Sequence, residues 1–204
     1  MADYKTIHGT TIKSYTTDPD NLIQGQVWYD KTNKVLQFQA AGAGAWSSGG
    51  NLNTGRSTSG TAGTGNSTGL IFGGLPPTTA KTESYNGTNW TEVADLNTAR
   101  NAFTGAGTYT SALAFGGTGP PPGLAITELW NGSGWTEVAD LNTGRSSLRG
   151  TGADNTAALG FGGNPPSTLA VTESWNGSAW TELADLNTGR QLLGGAGTTT
   201  SALA

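Results

Sequence analysis

A phrase that returns every 44 or 45 residues sets the strongest limit on what this chain can fold into. Trp46, Trp90, Trp135 and Trp180 fall 44, 45 and 45 residues apart, and Arg56, Arg100, Arg145 and Arg190 keep the same intervals. Each of the last three tryptophans closes a near-identical run: ESYNGTNW (83–90), ELWNGSGW (128–135) and ESWNGSAW (173–180). A Phe-Gly-Gly precedes each run, at 72–74, 115–117 and 161–163. Such a period marks stacked supersecondary units, none of which can bury its apolar face alone. Three complete units and one divergent leading unit are present.

Within a unit, short runs alternate with Gly, Pro, Asn and Ser, the spacing of short antiparallel strands. Four strands per unit are expected; in the third full unit they lie near 148–154, 157–161, 170–175 and 179–184. Asn-Gly at 86–87, 131–132 and 176–177 predicts a type I′ hairpin turn between the third and fourth strands. The paired glycines let the backbone turn where a Cβ would clash. Pro76-Pro77, Pro120-Pro121-Pro122 and Pro165-Pro166 cannot continue a ladder, so they mark the loop between the second and third strands, the most variable part of the unit. The first strand is made of small residues, as in GAGTYTSA (105–112) and GTGADNTA (150–157). Small side chains belong where several strands crowd one axis, as the innermost strands of a β-propeller do, and bulky ones belong between the blades. Composition agrees: 33 glycines and 34% hydrophobic residues favour turns and extended chain over helix and leave a core that is thin or divided.

The succession of FGG, a Glu followed by an aromatic, a Trp and a closing Arg resembles the kelch repeat over 57–190. That resemblance implies an all-β, kelch-like β-propeller of four-stranded antiparallel blades, with three full repeats and a divergent first blade. The wording GQVWYDKTNKVLQF (25–38) leading into GAWSSGGNLNTGR (44–56) resembles kelch-like virion proteins of tailed bacteriophages, typically tail-fibre or other exposed structural proteins.

The expected layout is an extended N-terminal arm over 1–24 and a propeller over 25–204, with blades near 25–50, 57–94, 101–139 and 146–184. In the first blade, 27–30 reads as the second strand and 35–39 as the third, with no first strand of its own. The last segment, 191–204, repeats a first strand and begins a second. Either it closes the first blade, giving a four-bladed ring, or further blades follow. On the second reading a bare strand edge there is an aggregation hazard and calls for a partner or for further chain. The arm is polar, Thr-rich and unable to bury a core alone, so it is either a loose tail or a segment ordered by docking onto a partner.

Catalytic machinery is not visible. His8 is the one histidine and there is no cysteine, which removes thiol nucleophiles, disulfides and thiolate metal sites together. Glu83, Glu128 and Glu173, with Glu92, Glu137 and Glu182, have the look of glycosidase carboxylates. A catalytic pair needs two different environments, however, and identical carboxylates in every unit are better explained by pairing with the equally repeated Arg100, Arg145 and Arg190. The D-x-N-x-G phrases at Asp140–Gly144 and Asp185–Gly189 lack the twelfth-position carboxylate of a calcium loop, being followed there by Thr151 and Ala196. No cofactor and no metal are expected. Trp46, Trp90, Trp135 and Trp180 read as packing between blades. Tyr85, Trp130 and Trp175, one residue before each Asn-Gly, are candidates for stacking on a sugar ring or for packing at the blade rim. With them the candidate binding set comprises Pro76, Pro77, Pro120, Pro121, Pro165 and Pro166, on the loops that differ between units.

A formal charge of −4 with ten scattered Lys and Arg argues against nucleic-acid binding. No run approaches the roughly 18 apolar residues of a membrane span. MADYKTIHGT lacks the apolar core of a signal peptide, so synthesis in a host cytoplasm, without membrane insertion, is expected. The function expected is a non-enzymatic virion structural protein, a tail-fibre adhesin or decoration protein for host attachment. Its partners would be other virion proteins through the arm, a host surface glycan or receptor, and further copies in a homo-oligomer. The alternative is a bacterial carbohydrate-binding or adaptor propeller outside any virion; a propeller hydrolase ranks last.

Overall fold

The computed structural model describes residues 6–7, 10–11, 13–16, 27–38, 48–119 and 123–204, and these are all-β, with no helix among them. They divide into two compact units, 1–48 and 49–204.

In the first unit, β1 (Thr6–Ile7) pairs antiparallel with β2 (Thr10–Thr11). β3 (Lys13–Tyr15) runs parallel to β4 (Val27–Asp30), which pairs antiparallel with β5 (Val35–Phe38). The Asp30 carboxylate fixes the β4–β5 turn, accepting the N–H groups of Asn33 at 3.0 Å and Thr32 at 2.8 Å and the Asn33 side-chain amide at 2.7 Å. The bonds from Asn33 hold the Asp30 carboxyl below the usual carboxylate range. Pairing of 27–30 with 35–38 follows the expected second and third strands. The rest of this sheet differs from the repeat. Its outer strand is parallel and comes from within 1–24, and a tight turn at 31–34 replaces the double-glycine loop.

Residues 49–204 build three four-stranded sheets, each antiparallel and each in chain order. The first contains β6 (Gly60–Ala62), β7 (Gly69–Phe72), β8 (Thr82–Tyr85) and β9 (Trp90–Val93). The second contains β10 (Thr104–Gly107), β11 (Ala112–Phe115), β12 (Thr127–Trp130) and β13 (Trp135–Val138). The third contains β14 (Arg149–Asp154), β15 (Ala157–Phe161), β16 (Thr172–Trp175) and β17 (Trp180–Glu182), close to the bounds expected from sequence. A two-stranded sheet, β18 (Ala196–Gly197) with β19 (Ala202–Leu203), follows. First strands adjoin one another in a row: β6 beside β10, β10 beside β14, β14 beside β18.

The hairpins stand where the Asn-Gly phrases put them, but their turns are not type I′. Tyr85 pairs with Trp90, Trp130 with Trp135 and Trp175 with Trp180, so each loop holds four residues. Only the glycine of each phrase enters the left-handed region, with φ of 95°, 94° and 95° at Gly87, Gly132 and Gly177. The asparagine instead acts through its side chain. Asn86 Oδ1 accepts the N–H groups of Thr88 and Asn89 at 3.0 and 2.9 Å, and Asn131 and Asn176 repeat the arrangement. An Asx turn of this kind satisfies the loop without forcing asparagine to positive φ.

The core is divided, as the low apolar content predicts. One cluster joins Leu70 and Phe72 of the first sheet to Phe103, Ala114, Trp130 and Trp135 of the second and its approach. The other joins Leu113 and Phe115 of the second sheet to Leu148, Ala158, Trp175 and Trp180. Each apolar layer therefore lies between consecutive sheets. Small residues on the first strands let the sheets approach. A Cβ built on Gly150 would lie 2.4 Å from Cζ of Phe115 and 3.0 Å from Cγ2 of Thr104. Gly150→Ala is expected to cost about 1–3 kcal/mol by overpacking. Gly134→Ala, whose Cβ meets nothing within 4 Å, should stay within about 0.5 kcal/mol of the parent. Urea unfolding followed by far-UV circular dichroism checks both; equal midpoints would refute the steric account.

Candidate functional site

Of the repeated glutamates, Glu83, Glu128 and Glu173 lie in buried clasps that join one segment of the repeat to the next, and Glu92, Glu137 and Glu182 are exposed. Glu128 is fully buried. Its Oε2 accepts the Asn97 backbone N–H at 2.7 Å and the Asn97 side-chain amide at 2.9 Å, while Oε1 accepts the Thr98 N–H at 3.3 Å and Arg100 at 2.6 Å. Glu83 is held in the same way by Asn53, Thr54 and Arg56, and Glu173 by Asn142, Thr143 and Arg145. The expected partnership of glutamate and arginine exists, with a shifted register. Each glutamate pairs with the arginine that precedes its unit, so Arg56 enters the set, and Arg190 makes no ion pair among the described residues. The clasp asparagines were legible only as part of the repeated Leu-Asn-Thr phrase at 52–54, 96–98 and 141–143; their fixed place three residues before each arginine was the signal.

Charge burial shapes this site. Desolvation pulls Arg100 and Arg145 below the usual arginine range, and the facing carboxylates of Glu128 and Glu173 oppose that pull. A buried carboxylate that already accepts four bonds, one of them the ion pair with arginine, has no free lone pair or solvent access for acid–base work.

The repeated tryptophans complete the seam. Trp135 packs against Phe72 of the preceding sheet, ring centroids 4.8 Å apart, and donates Nε1–H to Thr82 Oγ1 at 3.1 Å. Trp180 repeats this on Phe115 and Thr127, at 4.7 and 3.0 Å. Trp90 is half-buried and donates to the Gly50 carbonyl at 3.1 Å. Trp46 lies outside the described residues. Asp140 Oδ1 accepts the Thr127 N–H at 3.2 Å, so that aspartate of the D-x-N-x-G phrase caps a strand.

Of the candidate binding residues, Trp130 and Trp175 are buried, at 2% and 1% exposure. Their Nε1–H groups are spent on the carbonyls of Tyr109 and Asn155, and they offer no open face for stacking on a sugar. Both lie in the apolar layers between consecutive sheets. Tyr85 is half-buried and packs on Trp90 at 4.9 Å. Pro76, Pro77 and Pro166 are exposed and Pro165 is half-buried; Pro120 and Pro121 lie outside the described residues. Backbone bridges Ser57 to Leu75 and Ser146 to Asn164 anchor the bases of two of these loops, leaving the prolines at the surface.

An open cleft of about 370 Å³ lies along the first strands, lined by Thr61, Thr68, Trp90, Arg149 and Thr151 among glycines. Hydroxyls, backbone peptide groups, one guanidinium and an indole edge are chemistry suited to a polar, hydroxyl-rich ligand.

No protein-family model matches the chain, and no curated protein matches it.

Proposed function

We propose that this chain is a kelch-like β-propeller acting as a non-enzymatic recognition and structural protein, displayed on the virion of a tailed bacteriophage and used for host-surface attachment or decoration. One observation carries the non-enzymatic part. The repeated Glu83, Glu128 and Glu173 with their Asn and Arg partners, and Trp135 and Trp180, are consumed in holding successive segments of the repeat together, while the exposed loops between second and third strands differ from unit to unit. A scaffold that fixes its repeats and varies its loops is built to present surface. The first strands lying side by side, with small residues, support blades arranged around one axis. The virion assignment rests on the wording of 25–38 and 44–56; of the segment 1–24, Lys13–Tyr15 pairs with β4 of the same chain, and the remainder would attach the protein to the particle.

The second reading, a bacterial carbohydrate-binding propeller outside any virion, is favoured by the cleft beside Trp90 and Arg149. Mass spectrometry of purified particles separates the two: the first expects this chain at stoichiometric copy number in an assembled virion, and its absence from every particle of the producing strain would favour the second.

Replacing 75–81 and 164–170 with Gly-Ser linkers is expected to leave the unfolding midpoint within about 3 °C of the parent, a stability change of roughly 1 kcal/mol or less, while abolishing binding to host cells or particles. If binding persists in the loop variant and disappears in Arg149→Ala, recognition belongs to the cleft and not to the loops.

A further inference from the structure

The trailing edge of the repeat carries the receiving half of a seam whose other half is not among the described residues. At each filled seam, three kinds of bond cross. The Asn-Thr-x-Arg phrase grips a glutamate on the third strand of the next sheet. A threonine at the start of the third strand takes the indole N–H of the next sheet's tryptophan, Thr82 from Trp135 and Thr127 from Trp180. A residue with left-handed backbone offers its carbonyl to its counterpart one unit on: Thr58 to Ala102 at 3.0 Å, Ala102 to Ser147 at 2.7 Å and Ser147 to Leu192 at 3.0 Å.

The third unit presents the same groups without their partners. Thr172 Oγ1, the counterpart of Thr82 and Thr127, is a buried hydroxyl with no hydrogen bond among the described residues. Asn187, Thr188 and Arg190 repeat the gripping phrase, and Arg190 is exposed where Arg100 and Arg145 are fully buried. Leu192 has the same left-handed φ, 55°, as Thr58, Ala102 and Ser147 at 54°, 52° and 53°. Beside them β18 and β19 pair as a first and second strand with no third among the described residues, and Leu183, Leu192 and Leu203 are exposed at 47%, 81% and 79%.

The geometry points to this edge as a docking surface for a β-hairpin that bears a glutamate on its first strand and a tryptophan seven residues later. The hairpin adds the third and fourth strands to β18–β19 by edge pairing. Its carboxylate enters the Asn187–Arg190 phrase, and its indole N–H reaches Thr172 Oγ1. The seven-residue spacing is that of Glu83 to Trp90, Glu128 to Trp135 and Glu173 to Trp180. Charge complementarity selects the occupant: the edge offers a guanidinium and N–H groups that have no carboxylate partner among the described residues, so the incoming strand must be anionic at one fixed position.

The probe is a synthetic peptide of this chain's own phrase, residues 170–185, titrated onto the intact protein by calorimetry. Saturable one-to-one binding is expected, weakened on the order of thirtyfold by Arg190→Ala in the protein or by Gln in place of the peptide's glutamate. Because a short hairpin loses affinity to its own disorder, a second measurement appends a repeat of residues 161–185 after Ala204, restoring the Phe-Gly-Gly that follows the corresponding Ala114. The extension should raise the unfolding midpoint by about 5 °C or more, and Arg190→Ala should lower the midpoint of the extended chain while leaving that of the parent unchanged. No binding together with no rise in midpoint, or an Arg190→Ala effect equal in both chains, overturns the proposal. Self-association of the parent that Arg190→Ala reverses would assign the edge to a second copy and likewise overturn it.

Discussion

Glu128→Ala is expected to lower the unfolding free energy by about 3–5 kcal/mol, the cost of leaving a buried charge without its partner. Both Glu128 and Arg100 are fully buried, so no water replaces the lost carboxylate. Removal strands the Arg100 guanidinium and the N–H groups of Asn97 and Thr98 at once. The exposed Glu137, only nine residues on in the same unit, serves as the control; Glu137→Ala should stay within about 0.5 kcal/mol. A double variant, Glu128→Leu with Arg100→Met, removes both charges and should recover part of the loss, since a buried ion pair is often replaceable by packed apolar groups. Equilibrium urea unfolding measures all three. If Glu128→Ala and Glu137→Ala prove equally mild, the clasp does not hold the sheets together and the carboxylates would again be open to a catalytic role.

Trp135→Ala should cost a similar amount, about 3–5 kcal/mol, because it empties the layer between the first two sheets. The ring fills the space against Phe72 and lies 5.3 Å from Trp130, so its loss opens a cavity that two rigid sheets cannot close. Trp135→Phe isolates the polar part. It keeps most of the burial but leaves Thr82 Oγ1, at 0% exposure, without its donor, for about 1–3 kcal/mol. Trp90→Ala should be milder than Trp135→Ala, since Trp90 is half-buried and bonded to a backbone carbonyl. Unfolding midpoints in the order parent, Trp135→Phe, Trp135→Ala, with Trp90→Ala above Trp135→Ala, are the expected result. A Trp90 variant as damaged as the Trp135 one would contradict the idea that the seam between sheets is the seat of stability.

Strand positions were legible because each is bounded by residues with a local physical meaning. Phe-Gly-Gly ends a second strand where a Cβ would strike the following unit: one built on Gly73 would lie 2.7 Å from the Arg100 carbonyl and 2.6 Å from the Phe103 ring. Asn-Gly marked the hairpins because glycine must take positive φ there. The turn type was misread because the asparagine carbonyl oxygen can satisfy the loop N–H groups, a choice the dipeptide does not reveal. Tyr85, Trp130 and Trp175 were ambiguous for a related reason. Strand alternation places one face inward and one outward, but when a sheet is covered on both sides both faces are interior. β11, buried at all four residues, shows this directly.

A periodic sequence determines what lies within one period: four short antiparallel strands, their order, the small first strand, and the need for every unit to bury its apolar residues against a neighbour. It leaves open which neighbour completes which contact. Glu128 could meet the arginine 28 residues before it or the one 17 residues after it, Arg100 or Arg145, and both spacings recur with the repeat. Tertiary structure decided for Arg100, because the phrase linking two sheets passes over the third strand of the sheet it leads into, within reach of two backbone N–H groups as well as the guanidinium. The same decision left Arg190, Thr172 and Leu192 as receiving groups at the trailing edge. Translation along the chain preserves distances within a unit, and only packing fixes the direction in which one unit grips the next.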